Sequence, residues 1–107
     1  MASSREYLDF IMDQLSAVGG VSYRAMMGEY IIYYCGKVVG GIYDDRFLVK
    51  ITKSSLALMP DAAREVPYEG AKEMLLVDNT EDTNFLGTLL EAVYSELPEP
   101  KTKRRQK

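Results

Sequence analysis

Between Tyr23 and Lys50, apolar and β-branched residues fill short segments that Gly28, Cys35-Gly36, Gly40-Gly41 and Asp44-Asp45 interrupt. That alternation allows little besides a meander of antiparallel strands joined by tight turns. If Cys35-Gly36 and Asp44-Asp45 are two-residue hairpin loops, Tyr33 pairs with Val38, Ile31 with Gly40, Ile42 with Phe47 and Gly40 with Val49. Side chains alternate along a strand, so one face then carries Ile31, Tyr33, Val38, Gly40, Ile42, Phe47, Val49 and Ile51. This face is wholly apolar or glycine and is expected to build the core. The other carries Tyr30, Ile32, Tyr34, Lys37, Val39, Gly41, Tyr43, Arg46, Leu48 and Lys50. Its mixture of tyrosine, aliphatic and basic side chains suits neither a dry core nor ordinary solvent. Either a helix of the same chain covers it, or a second subunit or a different partner does.

Helices are expected around the meander. Ser3 with Glu6 has the spacing of a capping box, and Tyr7, Leu8, Ile11, Met12, Leu15 and Val18 recur at helical spacing until Gly19-Gly20. The pattern predicts a helix over 4–18. Val21 to Met27 reads as a strand at the edge of the meander, with Val21, Tyr23, Ala25 and Met27 on one face and Ser22, Arg24 and Met26 on the other. Thr52 to Ala63 reads as a short helix interrupted by Pro60, 66–71 as an irregular connection, and Met74 to Val77 as a short buried strand. Asp82 or Thr83 caps a last helix carrying Phe85, Leu86, Leu89, Leu90, Val93, Tyr94 and Leu97, and Pro98 stops it.

A chain of 107 residues makes one domain with a core of its own. The single cysteine, Cys35, excludes an internal disulfide and points to a reducing compartment. Nothing at the start resembles a secretory leader and no apolar run approaches membrane-spanning length, so a cytoplasmic protein is expected. Charge is unevenly placed behind the net value of −3: residues 1–100 carry −8, whereas Lys101, Lys103, Arg104, Arg105 and Lys107 give the last seven residues +5. The reading is a folded unit over 1–97 and a disordered basic tail over 98–107.

Catalytic chemistry lacks parts here. Without a single histidine the usual general base, the Ser-His and Cys-His pairs and imidazole metal ligands are all missing. Cys35 has no partner in the sequence that would lower its pKa, and it reads as a turn residue; the left-handed backbone of a type I′ turn is awkward for it, which leaves other turn types open. The run from Asp78 to Asp82 resembles a calcium loop superficially, but position 83 is threonine and Leu89 stands where the closing glutamate belongs. Gly36-Lys37 lacks the rest of a phosphate loop, and Gly40-Gly41 reads as a place where a helix or second sheet approaches closely. No enzyme, metal, cofactor or small-molecule ligand is indicated.

Tyr23-Arg24-Ala25-Met26-Met27-Gly28-Glu29-Tyr30, Tyr34-Cys35-Gly36-Lys37-Val38 and 42–50 resemble the N-terminal domain of the TfoX/Sxy family of competence regulators, and the leading helix from Tyr7 to Leu15 is similar too. The resemblance spans about residues 5–97 and implies a two-layer α+β domain, an antiparallel sheet flanked by N-terminal, central and C-terminal helices, grouped with the secretion-chaperone-like folds. It also implies a regulatory role: in full-length members this domain is associated with activating competence genes together with the cyclic-AMP receptor protein, and a helical C-terminal domain follows it. The present sequence reads as a stand-alone form. Two positions depart from the family pattern, Met27 where an aromatic is common and Glu29 where a glycine is common.

Protein association is the preferred function. Tyr30, Tyr34 and Tyr43 offer broad amphipathic contacts, Ile32, Val39 and Leu48 an apolar centre, and Arg46 and Lys50 a polar rim. A homodimer is the commonest symmetric outcome, with another protein as the other partner. The alternative is a nucleic-acid-associated regulator using Arg24, the basic sheet residues Lys37, Arg46 and Lys50, and Lys101, Lys103, Arg104, Arg105 and Lys107 of the tail, which the acidic body opposes.

Overall fold

Ser4, with its backbone extended, opens the first helix by accepting the Tyr7 amide on its hydroxyl at 3.1 Å. The computed structural model describes residues 3–97, and the helix, α1, runs Arg5–Leu15. The expected Ser3–Glu6 box is not the cap. The Ser3 hydroxyl instead donates to Glu29 at 2.7 Å and accepts the Asp45 amide at 3.0 Å, tying the chain's start to a hairpin turn. Leu8, Ile11 and Leu15 form one buried stripe, and the helix closes three residues earlier than expected, ahead of the left-handed Gly19 and Gly20.

The strands are β1 Val21–Met26, β2 Glu29–Tyr34, β3 Lys37–Ile42, β4 Phe47–Val49, β5 Arg64–Glu65 and β6 Met74–Leu76. All pair antiparallel in one open sheet of order β1-β2-β3-β4-β6-β5. Tight turns at Met27-Gly28, Cys35-Gly36 and Asp44-Asp45 hold both central residues at positive φ, the type I′ signature that matches strand twist. Cys35 therefore takes the conformation that the sequence made awkward. Two further helices complete the α+β fold: α2, Lys53–Leu58, behind a Thr52/Ser55 capping box, and α3, Thr83–Ser95, capped by Asp82. The central helix is half the length expected, ending just ahead of Pro60, and β5 had no signal in the sequence because two residues show no periodicity. The expected basic tail, 98–107, lies outside the described residues.

Pairings near the turns are as read from the sequence: Tyr33 with Val38, Ile42 with Phe47, Gly40 with Val49. Ile31, however, pairs with Gly41 rather than Gly40, because the β2–β3 ladder shifts between Ile32 and Tyr33 and leaves Val39 as an extra residue. A bulge of one residue reverses the parity of everything beyond it. As a result Ile32 and Val39 join Ile42, Phe47 and Val49 in the core, while Ile31 and Val38, expected inside, stand on the opposite face. Leu8, Ile11 and Leu15 of α1 and Leu86, Leu89, Leu90 and Val93 of α3 complete that core. The glycine pair also has another cause than the one expected. Gly40 lets the backbone of β4 approach, and Gly41 makes room for the ring of Tyr43; no helix is involved.

The helical layer is pinned at two places. Glu96, just past α3, accepts the backbone amides of Lys53 and Ser54 and the Ser54 hydroxyl at the start of α2. These donors, the Ser54 hydroxyl foremost, hold the Glu96 carboxyl below the usual range, so this tie is present above that range and is lost on acidification. At the other end of α3, Gln14 of α1 donates to the Thr80 carbonyl at 2.9 Å ahead of the Asp82 cap.

Candidate functional site

The eight residues expected to form one interaction face do not share a face. Tyr30, Ile32, Tyr34 and Val39 point to the helices: Ile32 and Val39 are fully buried, and both tyrosines pack against the core they belong to. A helix of the same chain covers this half. Tyr34 donates its hydroxyl to Glu91 of α3 at 2.9 Å and sets its ring edge-on to Tyr94, while the Lys37 ammonium sits 4.3 Å from the Tyr94 ring centre and donates to the Leu97 carbonyl at 2.9 Å. These contacts clamp the β2–β3 hairpin to the end of α3. They are internal contacts.

The hydrogen bond to Glu91 pushes the Tyr34 phenol up to about 12, because ionisation removes the donor and sets two anions side by side. A raised phenol pKa contributes stability below the ordinary tyrosine value, and that contribution is lost as pH rises through the folded value. Glu91→Gln is therefore expected to bring one tyrosine ionisation down toward 10.0. An ultraviolet absorbance titration of the native and variant chains checks this, and superimposable curves contradict it.

Tyr43, Leu48 and Lys50 lie on the other face of the sheet, and Arg46 lies at its margin. Leu48 is fully buried there, pointing away from its core neighbours Phe47 and Val49. Arg46 donates to Glu65 at 2.9 Å and to the Tyr43 and Val66 carbonyls, so it fastens β5 and the following loop beside the Asp44-Asp45 turn. That loop crosses the open face and leaves a groove of about 840 Å³ beneath it. Ile31 and Val38 line the groove from the sheet, and Pro67, Tyr68, Ala71, Lys72, Glu73 and Met74 from the loop and β6. Tyr43 is nearly buried and tilts against Tyr68 with ring centres 6.0 Å apart; burial first, then Tyr68 and Glu29, raises its phenol pKa. Sequence reasoning misses every loop residue of this groove, because 66–71 reads there as an irregular connection. Apolar Val66-Pro67-Tyr68 within a connection was the available signal.

A second exposed feature is the outer strand. Every residue of β1 after Val21 is exposed, Tyr23 and Met26 are large apolar side chains among them, and the adjoining Met27 is 97% exposed. Arg24, a candidate nucleic-acid contact, is an exposed member of this strand; Lys101, Lys103, Arg104, Arg105 and Lys107 lie outside the described residues. Among the described residues no group of three His, Cys, Asp or Glu side chains is placed to hold a metal ion, and no helix is long and apolar enough to cross a membrane.

Residues 13–99 match the TfoX N-terminal domain family. A curated relative, an uncharacterized 12.7 kDa protein in the trpE 5′ region of Spirochaeta aurantia, is 32% identical over 105 residues, covering 97% of this chain and 91% of the relative. The meander and α3 lie within the family match, the relative covers nearly the whole chain, and on that evidence the chain belongs to the TfoX N-terminal domain family.

Proposed function

We propose that the chain is a non-enzymatic protein-interaction module with a regulatory role of the kind the TfoX/Sxy resemblance implies, and that it associates through the free edge of β1. The observation that carries this reading is the edge itself: six residues long, without proline or bulge, and with Arg24 as its one charge. Natural sheets blunt such edges when they are meant to stay free. Here two copies of β1 running antiparallel satisfy each other's backbone groups across a two-fold axis. The reading thus shifts association from the mixed sheet face to the strand beside it.

The ladder says which backbone groups are available. The Cys35 amide donates to the Gly20 carbonyl, so the alternation of antiparallel pairs turns Ser22, Arg24 and Met26 toward β2 and leaves Val21, Tyr23 and Ala25 with outward amides. Ala25→Pro therefore removes an edge donor without removing a bond to β2. Size-exclusion chromatography with light scattering is expected to find the native chain dimeric at high micromolar concentration and Ala25→Pro monomeric, with unchanged circular dichroism. A monomeric native chain, or a dimeric Ala25→Pro, removes the proposal.

A further inference from the structure

We infer that the groove between the open sheet face and the 66–73 loop binds an amphipathic small molecule with an apolar body and a single anionic head. This goes beyond the edge association proposed above and does not depend on it. The groove's volume of about 840 Å³ lies in the range of small-molecule sites, which are concave and mostly apolar with a few convergent polar groups. Ile31, Val38 and Met74 supply apolar walls at residues that the bulge and the sheet margin place on the unhelical side.

Charge selects the class of occupant. Lys50 and Lys72 both line the groove, and neither side-chain ammonium has an ion pair or hydrogen bond among the described residues. Arg46, close by, is instead neutralised by Glu65. Glu73 contributes one carboxylate to the same lining, so two ammonium groups face one anion and the groove keeps a positive excess. Lys50 is also half-buried, where a cation gains more from an anionic partner than at an open surface. A carboxylate head between the lysines, with its hydrocarbon body along Ile31 and Val38, satisfies both features. A cationic or neutral ligand satisfies only the walls.

The test uses the full chain and the dye 8-anilinonaphthalene-1-sulfonate, which joins an aromatic body to one anion, with decanoate and 1-decanol as competitors. Saturable dye fluorescence is expected, displaced by decanoate and about tenfold less effectively by the alcohol, a difference of about 1.4 kcal/mol. The double variant Lys50→Gln/Lys72→Gln is expected to weaken decanoate about tenfold and leave 1-decanol unchanged. Val38→Arg, at the groove wall, is expected to weaken both. Absence of saturable binding, equal competition by acid and alcohol, or an unchanged decanoate affinity in the lysine variant overturns the inference. So does dye binding that disappears as protein concentration rises, which marks a second copy as the occupant.

Discussion

Gly40→Ala is expected to remove about 3 kcal/mol or more of folding stability, a large share of what a domain of this size possesses. A β-carbon at Gly40 would press into the Leu48 carbonyl oxygen and come within 2.9 Å of Val49 Cα. Both obstacles are backbone of the neighbouring strand, so no rotamer change relieves them. The ladder itself has to open, at the point where Gly40 pairs with both Ile32 and Val49 in the middle of the sheet. Gly36→Ala provides the contrast. Its added carbon meets nothing within 4 Å, and the cost there is the left-handed φ of +88° alone, about 1 kcal/mol. Urea unfolding of the two variants measures the difference, and equal midpoints contradict this account of Gly40.

Much of the architecture was legible because it rests on local signals. The stripe of Leu8, Ile11 and Leu15 and that of Leu86, Leu89, Leu90 and Val93 are helical periods whose buried faces the structure confirms. The turns at Cys35-Gly36 and Asp44-Asp45 were visible as breaks between apolar runs, and they set the register correctly on either side. The bulge was not visible in that way. Period-two alternation carries no mark of an inserted residue, so a reading that counts outward from each turn assigns Ile31, Ile32, Val38 and Val39 to the wrong faces. The one hint was Gly40-Gly41 inside a strand, since glycine there often marks a bulge as well as a close approach.

The candidate sites were less legible for a different reason. Whether Tyr30 and Tyr34 are contact residues or packing residues depends on where the helices lie, and the path of a helix such as α3 over the sheet is a long-range property. The structure spends both tyrosines on internal packing. The groove is likewise made by a loop more than fifteen positions beyond Lys50, held by the Arg46–Glu65 pair that spans 19 residues. Glu29 also acquires a role only in three dimensions. Its carboxylate accepts the Ser3 amide and hydroxyl and the Asp44 amide, joining the chain's start to the β1–β2 and β3–β4 turns.

Ile32→Ala is the second large effect expected. The side chain is fully buried among the helices, and truncating a buried isoleucine costs about 2–5 kcal/mol. Its neighbour Ile31 is half-buried on the groove wall, where the same truncation costs about 1 kcal/mol. An unbulged ladder gives the opposite order, with Ile31 inside and Ile32 outside. Urea unfolding of Ile31→Ala and Ile32→Ala side by side therefore tests the two-faced sheet most directly. A loss at Ile32 at least twice that at Ile31 is the expected result, and equal losses or a larger loss at Ile31 would contradict it.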